Sequence, residues 1–319
     1  MATIKDILRI VLFPLVLVKR YIYNAYYILI SRVNPMKFAE IQYKQRLGKN
    51  INWNKPSDLN EKIQWLKFYS DTSLWSRLSD KYRVREYIHE KGLDRLLVGL
   101  YGVYDRAEDI EWSKLPQKFV MKVNNGSGDV LVCNETLDCT KILNLTKKYN
   151  KLLKTKFWQS FAEPHYSLIK PCIIVEELLD CRNQRIDTNT LVDYKVWCFN
   201  GVPYCIWTCY NRTPKTVEVA TYDLNWNYHE EWSSFTPHYV KATTPLPKPI
   251  CLEDMLHCAS VLSSGFPQVR VDFYVVGDKL YFGEMTFTSK GGYMDFYTEE
   301  FLYQLGKQVI LPASVNKNI

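Results

Sequence analysis

The sequence predicts an α+β protein of two lobes with a helical region in front of them, and three patterns predict it. Residues 51–110 carry helix caps followed by apolar residues at helical spacing. From residue 118 onward, short β-branched and aromatic runs alternate with turn signals, and most neighbouring runs are close enough to join as hairpins. Helical stretches near 138–154 and 251–264 interrupt the strands without the regular strand–helix alternation of a doubly wound sheet.

The chain is long and apolar enough to bury a large core, with 319 residues of which 47% are hydrophobic. Nine cysteines contain no C-x-x-C and five histidines no H-x-x-x-H, so neither a disulfide framework nor zinc spacing is expected. Free thiols in a reducing, cytoplasmic compartment follow from that. The net charge of +7 sits at one end: residues 1–50 hold nine Lys/Arg against Asp6 and Glu40. The remainder balances 32 basic against 32 acidic residues, so a nucleic-acid partner is not expected.

That basic end is also apolar, from Ile10–Val18 and again over Tyr21–Ile30, yet too short and interrupted to span a bilayer. It reads equally as an anchor on an anionic membrane surface, placing the protein on the inner face, or as two helices packed on the body.

In the helical region, Ser57 is expected to cap a helix bearing Leu59, Ile63 and Leu66, and Ser79 or Asp80 one through Val84, Tyr87 and Ile88. Strand Lys118–Val123 runs into the polar turn Asn124–Asp129, and Val130–Cys133 resumes as strand. Lys122 at the strand end and the Gly126-Ser127-Gly128 backbone suit phosphate oxygens, although a plain hairpin turn explains them as well. Pro171–Glu176 is a buried strand closed by an acid, with Glu177, Leu178 and Leu179 after it. Tyr194–Phe199, Asn200-Gly201 and Tyr204–Thr208 make a hairpin. The last helix is expected near 298–309.

A second hairpin, Val269–Val276 with Leu280–Phe287, carries the strongest chemistry. With Gly277-Asp278-Lys279 as a three-residue loop, Asp272 faces Glu284 and Arg270 faces Thr286. Val271, Phe273, Val275, Tyr281 and Met285 then fill the other face. Two facing carboxylates repel unless a cation lies between them, which points to Mg²⁺; the alternative is a solvent-exposed sheet face with a local Arg270–Asp272 salt bridge. Arg270 beside them suits a developing oxyanion or an acyl phosphate.

Taken in order, these blocks resemble the ATP-grasp fold. The stretches NEKIQWLKFY, DKYRVREY, KFVMKVNNGSG, IIVEELL, DYKVWCFNG, VRVDFY and YFGEMTFT are similar to the TupA-like ATP-grasp family of polysaccharide and teichuronopeptide biosynthesis, over roughly residues 55–310. The resemblance implies two α+β lobes clasping ATP: a small lobe over 111–179 and a large lobe over 180–319, after a basic segment 1–50 and a helical region 51–110. It implies that Lys81 and Lys122 hold nucleotide phosphate, that Ser127 and Gly128 belong to a flap, and that Glu176 and the Leu178 backbone meet adenine. Asp193 and Lys195 would face ribose and phosphates. Arg270 would steady the acyl phosphate, Asp272, Glu284 and Thr286 would hold Mg²⁺, and Ser289, Lys290 and Gly291 would border the acceptor.

Some positions depart from the family pattern. Thr286 stands where many ATP-grasp enzymes have asparagine, Asn125 where a flap histidine is expected, and Asp129 where glycine is. Ser289-Lys290-Gly291-Gly292 replaces a Pro-Gly-Ser-Gly stretch. The implied activity is ligation of a carboxylate to an amine, with ATP consumed and a lipid-linked glycan among the expected partners. The rivals are a glycosyltransferase, against which the absence of Asp-x-Asp argues, and a degenerate nucleotide-binding scaffold.

Overall fold

The computed structural model describes residues 25–126 and 128–315. Residues 25–33 are helical, and Asn34 caps the next helix, Pro35–Leu47, by accepting from Lys37 N at 2.8 Å. The cap expected at Ser57 falls one residue later. Asp58 accepts from Glu61 N at 2.8 Å, while the Glu61 carboxylate takes Ser57 N at 2.8 Å. This reciprocal arrangement satisfies orphan donors at both sides of the helix start. The resulting helix, Leu59–Tyr69, buries Leu59, Ile63 and Leu66 against Glu299–Gln308 and the Ser289–Gly292 turn.

Helices Ser73–Ser79 and Val84–Glu90 are joined by a tight turn. Asp80 caps the entry to the second helix, one of the two positions expected, its carbonyl accepting from Val84 N at 3.0 Å. Its carboxylate accepts from Tyr82 N and Arg83 N at 2.9 and 3.2 Å, fixing the turn that presents Lys81.

Four antiparallel strands form the first sheet: β1 (Leu100–Tyr104), β2 (Phe119–Val123), β3 (Leu131–Cys133) and β4 (Ile173–Glu177), in the order β1-β4-β2-β3. Alternation decides the faces of β2. Phe119, Met121 and Val123 are buried, while Val120 and Lys122 look the other way. The Cys139–Leu153 helix, capped by Asp138, covers the buried face, and its Tyr149 hydroxyl donates to Met121 O at 2.7 Å.

The second sheet has six strands: β5 (Asp193–Phe199), β6 (Val202–Tyr210), β7 (Val217–Tyr222), β8 (Tyr239–Lys241), β9 (Gln268–Val276) and β10 (Lys279–Thr286). Their order is β10-β9-β5-β6-β7-β8, and only β7–β8 is parallel. Between β5 and β6, Asn200 and Gly201 both take positive φ, 51° and 82°, as a two-residue hairpin turn that matches strand twist requires. The Leu252–Ser263 helix packs on β5, β6 and β9, burying Met255, Ala259 and Leu262. With that face closed, the opposite faces of β5, β9 and β10 are left toward the first sheet, and the polar residues gather there.

Candidate active site

The hairpin β9–β10 sets the centre of the cleft. Its turn, Gly277-Asp278, has two residues rather than the three expected: Lys279 pairs with Val276 and Leu280 with Val275. A straight ladder from that turn would set Asp272 opposite Gly283 and drive Glu284 to the core face. Instead the register shifts between Phe282 and Glu284, and Asp272 faces Glu284 while Arg270 faces Thr286. The anticipated pairing is thus reached through a bulge at Gly283. A Cβ there would lie 3.0 Å from Asp272 O, which leaves little room for any other residue. The bulge also corrects one core assignment. Tyr281 pairs with Tyr274 on the cleft side, and Leu280 and Phe282 are buried in its place.

The facing carboxylates are compensated by cations of the protein itself. Asp272, 1% exposed, accepts from Arg270 Nε at 2.7 Å and Nη2 at 2.8 Å, and from Lys195 Nζ at 2.5 Å. The expectation that a metal is needed to relieve the repulsion is therefore too strong, because β5 brings Lys195 opposite Asp272. Arg270 also donates to Ser289 Oγ at 2.7 Å and Thr286 Oγ1 at 3.1 Å. Burial opposes the charge on Lys195, but Asp193 and Asp272 outweigh it and raise its pKa. Burial likewise opposes ionisation of Glu284, yet Lys81, Lys195 and Arg270 draw its pKa down to about 2.

Hard oxygen donors for a divalent cation are present in Glu284, Asp272 and Thr286, whose hydroxyl donates to Glu284 at 3.0 Å. Among the described residues no three or more His, Cys, Asp or Glu side chains converge as a metal site of their own. Two carboxylates completed by phosphate oxygens are what Mg²⁺ commonly uses, so the donor set fits that ion when a nucleotide is bound.

Nucleotide-facing candidates come from the first sheet and the turn before it. Lys81 Nζ donates to Gly126 O at 2.9 Å and stands 3.5 Å from Glu284. Lys122 Nζ pairs with Glu176 at 2.6 Å, and Arg85 stands 3.6 Å from the same carboxylate. Glu176, expected to accept from adenine, thus directs its side chain to two cations. Gly128 has φ 89° and lines the cleft, whereas Ser127 lies outside the described residues.

These groups border three adjoining cavities. The first, about 470 Å³, brings together Lys81, Lys122, Lys195, Asp193, Asp272 and Glu284. The second, about 460 Å³, shares Lys122, Glu176 and Asp193 with it and is walled by Val120, Val132, Leu178 and Leu191. The third, about 430 Å³, lies beyond Arg270 and Glu284 and includes Lys290 and Gly291. Ser289 is buried under Arg270, and Lys290 turns its ammonium to Asp295, 5.4 Å above the Tyr239 ring. Lys290, Gly291 and Gly292 all have positive φ (48°, 67° and 79°), so the turn between them is tightly constrained.

Sequence reasoning missed Arg85, Arg212, Tyr274 and Glu163. Arg212 pairs with Asp193 from the far end of β6. Nothing local announces that contact; it needs the β5–β6 register. Arg85 lay within a quoted block, four residues after Lys81, and could have been read as a second cation on the same side of the cleft.

Several solved structures are similar to the chain. D-alanine–D-alanine ligase from Bacillus anthracis shares 15% identity over 72% of this chain and 60% of its own, with a TM-score of 0.37. The Helicobacter pylori enzyme shares 13% over 79% and 69%, with a TM-score of 0.40. The ATP-grasp ligase PsnB complexed with a minimal precursor shares 10% over 77% and 66%, with a TM-score of 0.37. This chain therefore spans less than two thirds of the Bacillus ligase. No curated protein matches it. The model of one family, TupA-like ATPgrasp, matches residues 61–310, and by that match over most of its length the chain belongs to the TupA-like ATP-grasp family.

Proposed function

We propose that the chain is an ATP- and Mg²⁺-dependent carboxylate–amine ligase that works through an acyl phosphate in surface or capsular polysaccharide assembly. The observation that carries the reading is one cleft with three joined compartments between two sheets. The apolar one beside Leu178 suits a purine ring, the cationic one polyphosphate, and the third an acceptor. In this reading residues 180–319 are the large lobe and 111–179 the small lobe, whose sheet also takes in β1 (Leu100–Tyr104) from the region 51–110 expected to be helical.

Lys81 and Lys122 hold the phosphates, and Lys195 holds them from the other sheet. Asp272, Glu284 and Thr286 would hold Mg²⁺, which when bound would neutralise phosphate charge. Arg270, clamped by Asp272 and Ser289, presents its remaining donor capacity to the substrate carboxylate as that group attacks the γ-phosphate. Positioning supplies much of the rate, since the three compartments hold both reactants in line. An amine in the third compartment then captures the acyl phosphate, giving amide, ADP and phosphate.

The N-terminal part supports a peripheral role on the inner face of a membrane, beside a lipid-linked glycan. On the described helix 25–33, Tyr26, Leu29 and Val33 recur at helical spacing and are 48%, 60% and 74% exposed. Among the described residues no helix is long and apolar enough to cross a membrane.

ADP release should depend on a carboxylate and an amine together when uronic acids and amino acids are screened in pairs. Turnover of a nucleotide sugar without ADP release would instead favour glycosyl transfer.

A further inference from the structure

The third cavity holds a carboxylate that the nucleotide chemistry leaves unused. Glu163 lies on its wall, and its Oε1 accepts from Thr288 Oγ1 at 2.5 Å. Around it stand Phe157, Phe161 and Tyr166, while Lys81, Gly126 and Glu284 are shared with the phosphate compartment next door. The aromatic wall also touches the phosphate loop, since a Cβ at Gly126 would sit 2.9 Å from the Phe157 ring. Behind the wall, Lys67 is buried and donates to Gln64 Oε1 at 2.8 Å, Phe161 O at 3.0 Å and Gly291 O at 3.0 Å. Its three donors are spent on those oxygens, so Lys67 acts on Glu163 as a neighbouring charge without donating a hydrogen bond to it.

From this arrangement we infer that Glu163 is the subsite for the acceptor's ammonium group and the base that deprotonates it. The inference rests on the ligase reading above and adds the acceptor class: a primary amine carried as ammonium on a frame that packs on aromatic rings. Carboxylate and ring faces both attract such a cation. One proton passes from nitrogen to the Glu163 carboxylate, and the freed lone pair attacks the acyl carbon. The C–N bond forms as the acyl C–O bond breaks, phosphate leaves with that electron pair, and the second N–H proton goes to the phosphate. Burial raises the Glu163 pKa even against the charge of Lys67 and the Thr288 hydrogen bond, which strengthens it as a base.

Hydroxylamine separates this role from the rest of the site, because it is already unprotonated at neutral pH and needs no base to attack. The experiment supplies full-length protein with ATP, Mg²⁺ and glucuronate or L-glutamate. It compares hydroxamate formation with amide formation on an L-amino acid. Glu163→Gln should lower the amide rate about 10²-fold or more while hydroxamate stays within about threefold of wild type. Unaltered ATP affinity in the variant certifies its fold. Thr288→Val, which keeps Glu163 but removes the hydrogen bond that aims its carboxylate at the acceptor nitrogen, should lower the amide-to-hydroxamate ratio severalfold. Equal loss of both products in both variants, or an undiminished amide rate in Glu163→Gln, overturns the Glu163 assignment and leaves the ligase reading standing. Wild-type protein that makes hydroxamate but no amide overturns the ammonium subsite alone. Wild type that makes neither product overturns both.

Discussion

Replacing Arg270 by methionine tests whether the charges in the cleft hold one another as the geometry requires. The guanidinium is 7% exposed and donates to Asp272 twice, to Ser289 and to Thr286. Methionine fills much of the same space but leaves Asp272, almost wholly buried, with Lys195 as its cation. Removing one partner of a buried pair costs about 3–5 kcal/mol, and the surviving Lys195 contact at 2.5 Å places this case near 3. Urea unfolding should show that loss as a lower midpoint with an unchanged slope. The cycle with Asp272→Asn sharpens the test. Once the carboxylate is neutral the methionine leaves no buried charge stranded, so the double variant should be more stable than the sum of the singles by about 2 kcal/mol. Strict additivity, or a single variant within about 1 kcal/mol of wild type, would refute the idea that Arg270 and Asp272 form one electrostatic unit.

Three further outcomes are expected. Lys122→Ala should weaken ATP binding by about 1.5–3 kcal/mol, the worth of one charge-assisted contact, and calorimetry giving equal affinities would reject Lys122 as a phosphate ligand. Glu284 has a folded-state pKa of about 2 against an ordinary 4.5, so its contribution to stability is complete above pH 4.5 and is lost as pH falls toward 2. Stability measured across that window should drop, and drop less in Glu284→Gln; because the side chain is 38% exposed, water screens the effect and keeps it small. Full-length protein should co-sediment with anionic liposomes and release in high salt, each basic residue near the surface adding about 1 kcal/mol, whereas protein lacking residues 1–32 should stay in solution; identical behaviour of the two would assign that segment to packing on the body.

What the sequence determined by itself was local. Alternation in Phe119–Val123 placed Lys122 on the face opposite the core, and Asn200-Gly201 announced its hairpin, because both signals lie within a few residues. The seven blocks in register carried the ATP-grasp family and the α+β class with them. The facing of Asp272 and Glu284 was legible too, although the two-residue turn and the Gly283 bulge that produce it were not. A bulge costs one unpaired residue and leaves no clear mark in composition, so only the assembled ladder reveals it.

Tertiary structure alone decided which charges meet. Lys195 reaches Asp272 because β5 lies beside β9, across 77 positions of chain, and Arg212 reaches Asp193 from the end of the neighbouring strand. Glu163 and Thr288 are 125 residues apart, and no spacing rule joins them. Whether a facing pair of carboxylates needs a metal, or is already held by lysine and arginine, depends on distances that exist only after β5 has paired beside the β9–β10 hairpin. Coulombic interaction falls with separation and strengthens with burial, and neither quantity is written along the chain.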